Sequence, residues 1–206
     1  MPNFFHQTTH FEYLVRTALP ELIRSYGYGI GKKLIVWSAG CFSGEEPYTL
    51  AMILSEFARR YPGLGFHFLV LATDISADLL EIAKRGIYDE ISIDPVPMEL
   101  RKKYLLRSKD RAKRLVRIAS EVRELVKFRK VDLREEEFRF REPVDIVFCH
   151  SGLGRMGKGE REKLLDRMYH QLSPGGYLFL QPAGPADGPD VPWTPVAPMV
   201  YRKLEV

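Results

Sequence analysis

Val36-Trp37-Ser38-Ala39-Gly40-Cys41-Phe42-Ser43-Gly44-Glu45-Glu46-Pro47-Tyr48 joins an apolar run to a polar helix start. The apolar residues predict a strand over about 33–38, and a helix is expected from Ser43 to about Arg60. Strand, small-residue turn and helix in that order open a nucleotide-type α/β fold. Amides at such a helix start are unpaired and sit at the positive end of the dipole, which suits an anionic group. The turn is not GxGxxG and has no P-loop Lys, so a diphosphate is not its obvious ligand. Ser43-Gly44-Glu45-Glu46 has the spacing of a capping box, which assigns Glu46 to the helix start. Glu45 is then the free carboxylate, suited to a positively charged amino group.

Outward from this stretch, the chain alternates strands and helices. Thr8 or Thr9 can cap a helix to about Ser25, bent or split at Pro20. Residues 66–73 are nearly all apolar, as in a central parallel strand, and Ser76 caps a helix to about Arg85. Strands are predicted at 126–131, 144–149 and 177–181, with a helix over about 159–172 stopped by Ser173-Pro174-Gly175-Gly176. Six prolines between 182 and 198 predict a stiff, extended connection to a closing strand at 199–204. Residues 86–125 show no clear period and read as an insertion.

With 206 residues and 45% hydrophobic content, one domain with a full core is expected, and general disorder is excluded. The expected division is an N-terminal segment and helix over 1–32, then an α/β domain over 33–206. No apolar run reaches the roughly 18 residues a membrane helix needs, and no signal peptide is visible. Two cysteines, Cys41 and Cys149, fit a reducing cytoplasm. The net charge of +4 conceals a basic segment: 101–130 holds thirteen Lys/Arg and three Asp/Glu, +10, leaving −6 for the rest. Such a segment suits an acidic protein surface, or a solvated helix face. Nucleic acid is disfavoured, because few aromatics interleave with the cations.

In sheets of this kind ligands bind beyond the carboxyl ends of the strands. Asp74 ends the second strand, where it can accept from ribose hydroxyls; Asp132 follows the third, where it can accept from an adenine amine. Cys149, His150 and Ser151 follow the fourth. An isolated Asp at a strand end is commonly a cap or turn former. Three polar sites after successive strands argue for a ligand cleft.

These residues carry a resemblance to the CheR-type methyltransferases, which transfer a methyl group from S-adenosylmethionine (SAM) to glutamate side chains of chemoreceptors. The matching text runs from Asn3-Phe4-Phe5 and His10-Phe11-Glu12-Tyr13-Leu14 through 37–48. It continues with Ala72-Thr73-Asp74-Ile75-Ser76, Gly86-Ile87-Tyr88, Val126-Lys127-Phe128, 144–149 and 172–178. The resemblance implies a Rossmann-like SAM-dependent methyltransferase fold: a mostly parallel sheet, helices on both faces, and an N-terminal helix before it. It places Gly40, Glu45, Asp74, Asp132, Leu133, His150, Ser151 and His6 at cofactor positions, assigns no metal, and implies a cytoplasmic monomer.

The departures fall on the acceptor side. The family's Thr-x-Phe-Phe-Arg reads Pro2-Asn3-Phe4-Phe5-His6, replacing a permanent cation by a titratable one. The family's Cys-Arg-Asn-Val-Leu-Ile-Tyr-Phe reads Cys149-His150-Ser151-Gly152-Leu153-Gly154-Arg155-Met156. Arg155 is the one cation there able to hold an acceptor carboxylate, as its catalytic candidate. The family's Gly-His-Ser-Glu becomes Gln181-Pro182-Ala183-Gly184, and the helical N-terminal domain of full-length members is missing before Met1. Two functions follow: a SAM-dependent protein-glutamate methyltransferase acting on an acidic acceptor such as a chemoreceptor, or a degenerate module that binds SAM or S-adenosylhomocysteine and acts through protein contacts.

Overall fold

The computed structural model describes residues 3–135, 140–150, 153–181 and 192–204. Its centre is a seven-stranded sheet in the order β6-β2-β1-β7-β8-β10-β9. These strands are β1 (Leu34–Ala39), β2 (Phe68–Asp74), β6 (Val126–Lys130), β7 (Val144–Cys149), β8 (Leu172–Leu180), β9 (Trp193–Ala197) and β10 (Val200–Lys203). The first five run parallel; β10 and β9 close the edge antiparallel. The expected fold is therefore present, and its chain reverses direction across the sheet between β1 and β7.

Alternation along β1 shows why the central strands are apolar throughout. Leu34 and Val36 enter one core with Leu14, Leu22, Tyr48, Met52 and Phe148. Trp37 and Ala39 enter the other with Val147, Leu178 and the α7 (Lys158–Gln171) residues Leu164, Leu165 and Met168. Each of those three buried side chains contributes about 1.5–3 kcal/mol, enough to hold a helix that is otherwise polar. Asp145 is the polar exception inside β7. Its carboxylate accepts from the Ile35 amide at 2.8 Å and meets Lys32 at 3.3 Å, so the buried charge is paired.

The N-terminal helix departs from expectation in its interior. It begins at α1 (Thr8–Tyr13) and ends as α2 (Leu19–Tyr26), with a π-turn at Leu14–Ala18 between them. Pro20 lacks an N–H and crowds the carbonyl four residues earlier, so the chain widens just upstream instead of breaking. Gln7, not Thr8 or Thr9, is the cap residue, and no side chain caps it.

Residues 86–125 are more ordered than the sequence suggested. After α4 (Ala77–Arg85), the strands β3 (Ile87–Asp89), β4 (Leu105–Arg107) and β5 (Leu115–Ile118) form a second, antiparallel sheet in the order β3-β5-β4. The helices α5 (Met98–Tyr104) and α6 (Ser120–Arg123) flank it. Tyr88, Leu105, Val116 and Ile118 enter the first core, while Arg107, Arg114 and Arg117 are exposed. The basic segment is thus divided: Arg107 and Arg117 lie on the small sheet, Arg101, Lys102 and Lys103 on α5, Arg123 on α6, and Lys127, Arg129 and Lys130 on β6.

Two further corrections concern the C-terminal part. Ser173-Pro174-Gly175-Gly176 does not precede its strand but is its bulged first half, since β8 starts at Leu172. Gly176 is required there: a Cβ would lie 2.7 Å from the Asp145 carbonyl oxygen of β7. β9 occupies part of the proline-rich connection, with Pro195 opposite Tyr201. It is an edge strand, where a missing N–H costs no ladder bond.

Candidate functional site

The α3 helix (Glu45–Arg60) starts one turn beyond β1, and three residues of that turn have left-handed backbones: Gly40 (φ 75°), Phe42 (φ 48°) and Gly44 (φ 98°). At Phe42 this conformation costs about 1 kcal/mol or more and needs outside support. Asp74 supplies it. One carboxylate oxygen accepts from the Phe42 amide at 2.9 Å and the other from the Ser76 amide at 2.9 Å. The Gly40 and Cys41 amides both donate to the Thr73 carbonyl, at 2.8 and 2.9 Å. The amides of Gly40, Cys41 and Phe42 are therefore spent on the end of β2.

A cleft of about 460 Å³ opens beside this turn, within the usual range for small-molecule sites. Gly40, Asp74, Asp132 and Leu133 line it, together with Phe42, Ile75 and Met156. Four of the sequence-predicted residues are thereby brought together. The apolar three were missed, because nothing in their spacing separates a cleft wall from a core face. Asp132 accepts from the Arg134 amide and guanidinium at 2.9–3.1 Å, and this pairing holds its carboxyl below the usual range.

Glu45 is 7% exposed, at the head of α3. The Ser43 hydroxyl lies 2.8 Å from both its carboxylate oxygens. Burial raises its carboxyl pKa, and the Ser43 bond offsets that only in part. No cation among the described residues forms an ion pair with it. Cys41 lies in the field of Asp74, Glu46 and Glu45, and burial together with these charges pushes its thiol far up. Three carboxylates thus converge on the turn.

The capping box is overturned. α3 has no side-chain cap, and Glu46 instead accepts from Ser38 Oγ at 2.6 Å and meets His150 Nδ1 at 2.8 Å. His150 Nε2 lies 2.9 Å from His10 Nδ1. His150 is therefore buried in a side-chain network and is not among the residues lining the cleft. His10 and Glu46 are the members that sequence reasoning missed as a site, since their partner lies 140 residues from one and 104 from the other. His6 is exposed and does not line the cleft. Ser151 lies outside the described residues, as does the side chain of Arg155, whose backbone belongs to a short 3-10 turn at Leu153–Arg155.

Ser76 caps α4 as expected, its hydroxyl accepting from the Leu79 amide at 3.3 Å. Tyr88, from the small sheet, donates to the Ser43 carbonyl at 2.6 Å and ties that sheet to the turn.

Comparison with known proteins agrees with this geometry. The chain is 34% identical over 177 residues to a "Chemotaxis protein methyltransferase" of Borreliella burgdorferi, covering 86% of this chain and 61% of that protein. It is 35% identical over 178 residues to "Chemotaxis protein methyltransferase 1" of Pseudomonas aeruginosa, covering 86% and 63%. The chain thus spans about three fifths of the length of these relatives. The crystal structure of the DszA carbon methyltransferase superposes with a TM-score of 0.51 at 17% identity, over 84% of this chain and 35% of that one, which speaks for the fold alone. The family described as "CheR methyltransferase, SAM binding domain" matches residues 1–183, which hold the turn, the Asp74 clasp and the cleft, and to that family the chain belongs.

Proposed function

We propose that the cleft binds SAM and that the protein transfers its methyl group to a glutamate side chain of an acidic protein, in the manner its relatives' names indicate. The observation that carries this reading is the lining of the cleft by Asp74 and Asp132; Glu45, which does not itself line it, is a buried carboxylate without a cationic partner among the described residues, at the helix start that follows the same turn. A buried charge of this kind calls for a counter-ion. SAM brings a cationic amino group and, on its sulfonium, the methyl group to be transferred. The residues present fit it. Asp74 uses one lone pair on each oxygen for the turn and keeps the other for a diol. Asp132 keeps acceptor capacity on the oxygen that takes a single Arg134 bond. Ile75, Leu133 and Met156 supply apolar walls for a base.

The acceptor needs no general base. A glutamate with a pKa of about 4.3 is already the nucleophile at neutral pH. What the protein supplies is orientation, worth several orders of magnitude when the reacting groups are held in line. Exposed Lys109, Arg114 and Arg117 near the small sheet offer charge complementarity to an acidic acceptor. Arg155 is the proposed carboxylate holder, His6 and Ser151 the proposed further cofactor contacts, and the reducing cytoplasm the proposed location.

The alternative, a module that binds the cofactor without turnover, is favoured by one observation. His150, at the end of β7, spends both ring nitrogens inside the fold, so it offers nothing to an acceptor. Calorimetric titration with SAM and S-adenosylhomocysteine tests the shared part of both readings. Glu45→Gln is expected to weaken SAM by about tenfold or more. No binding by the wild type overturns both. Incubation with SAM and an acidic protein then separates them, since only the enzyme yields a base-labile methyl ester.

A further inference from the structure

A groove of about 300 Å³ lies between the end of α4, α6 and the start of β6, and it shares no lining residue with the cleft. Lys84, Arg123 and Lys127 bring three cations to it, Ser120 brings a hydroxyl and Phe128 a partly buried ring. Among the described residues Glu124 is the one carboxylate that lines it, and it is exposed. The lining therefore carries an excess of two positive charges.

Arg123 is held in this groove without an acceptor. Gly86 ends α4 with a left-handed backbone (φ 60°), and a Cβ there would lie 3.1 Å from Arg123 Cδ, so the Arg123 stem packs over the helix end. A cation at a helix C-terminus is ordinarily satisfied by the last free carbonyls. Here the Ile82 carbonyl accepts from the Gly86 amide at 3.2 Å, the Ala83 carbonyl from the Tyr48 hydroxyl at 2.7 Å, and the Gly86 carbonyl from the Ile118 amide at 2.8 Å. Arg123 Nε is buried and has no hydrogen-bond partner, and its guanidinium forms no ion pair among the described residues. A buried donor left in this state calls for an acceptor from outside the fold. Lys127 forms no ion pair among the described residues either. Lys84 meets Glu81 at 2.7 Å, but both side chains are at least half exposed and solvent screens that pair.

We propose that this groove binds a small phosphate monoester, with Arg123 and Lys127 holding the phosphate and Phe128 packing against its organic part. A guanidinium fork, two ammonium groups and a hydroxyl present more donors than the two oxygens of a carboxylate use well. A phosphate monoester carries about −1.5 to −2 charge at neutral pH and three strong acceptor oxygens, which matches the set. A bare phosphate fills only part of about 300 Å³, and the Phe128 ring offers an apolar surface to what the phosphate is attached to. The groove is separate from the cleft, so its ligand is independent of the proposed cofactor.

Nitrogen-15 NMR of the Arg123 side-chain Nε–H and the Phe128 amide reads the groove directly. Inorganic phosphate, phenyl phosphate and acetate are titrated separately at neutral pH and constant ionic strength. Inorganic phosphate is expected to shift both resonances saturably, with a Kd of about 1 mM, and phenyl phosphate to bind at least about threefold tighter. Acetate is expected to bind about tenfold more weakly than phosphate. Followed at the Phe128 amide, Arg123→Gln should weaken phenyl phosphate about tenfold, and Lys127→Gln, an exposed change that spares the packing over Gly86, about threefold. Lys158→Gln, at the exposed start of α7, removes the same charge outside the groove and should change nothing. Shifts that never saturate, unchanged affinity in both groove variants, or the same weakening in Lys158→Gln overturn the proposal. Acetate as tight as phosphate overturns the phosphate assignment, and inorganic phosphate as tight as phenyl phosphate overturns the ester.

Discussion

The turn after β1 and the residue after β7 face each other at the carboxyl edge of the sheet, and they are held by different means. The turn is fastened by backbone amides on Thr73 and on the Asp74 carboxylate, bonds that persist wherever that carboxylate is ionised. His150 is fastened by polar contacts with side chains from α1 and α3, His10 and Glu46. The first arrangement is a fixed scaffold; the second depends on pH. The contrast teaches that the scaffold lies on the side where the family pattern is kept, and the titratable device on the side where it is rewritten.

The largest effect is expected from removing the scaffold. Asp74→Ala strips two charged acceptor bonds from a buried turn whose Phe42 backbone is left-handed. Chemical denaturation is expected to show a loss of about 3–5 kcal/mol, with cofactor binding abolished. A loss below 1 kcal/mol would mean the turn holds itself, and the contrast drawn here would fail.

Acidification probes the other side. The His10 pKa is lowered from 6.5 to about 4 by burial first and by the neighbouring His150 second. Between those values the unfolded chain binds a proton at His10 that the folded chain refuses. Stability is therefore full above about pH 6.5 and is lost as pH falls toward about 4, by up to about 3 kcal/mol. Urea melts across this window check it. His10→Gln should flatten the window relative to wild type; an unchanged slope would detach His10 from it.

A third change tests how tightly the two sides are coupled. Gly44 has φ 98°, and a Cβ there would lie 2.9 Å from Ala83 Cβ and 3.0 Å from the Tyr88 hydroxyl. Gly44→Ala is expected to cost about 2 kcal/mol. Because Tyr88 donates to Ser43, the shift should also weaken cofactor binding. A destabilised protein with wild-type affinity would show that the small sheet does not steer the turn.

Much of this was legible in the residues, for a physical reason. Strands buried on both faces must be apolar throughout, so β2 and β7 stand out in any reading. Ser76 was legible because its cap is made with a residue three positions on. β3, β4 and β5 were not: each is three or four residues long, buried on one face, and interleaved with Asp89, Arg107 or Arg117. Glu46 was misread because its local partner and its distant one compete, and His150 wins. Four of the cleft residues were found because they follow strands. The His10–His150 contact, made across 140 residues, carries no local signal.

The smallest effect is expected at the rim of the cleft. Asp132 pairs with Arg134, whose side chain is 60% exposed, and solvent screens that pair strongly. Asp132→Asn removes the charge but keeps a carbonyl oxygen able to accept from an exocyclic amine. Stability should not change measurably, and SAM affinity should move by less than about threefold. Position 132 then serves the ligand by shape and acceptor chemistry alone. A larger loss of affinity would assign the Asp132 charge itself to the ligand, and the rim would join Asp74 and Glu45 as part of the electrostatic scaffold.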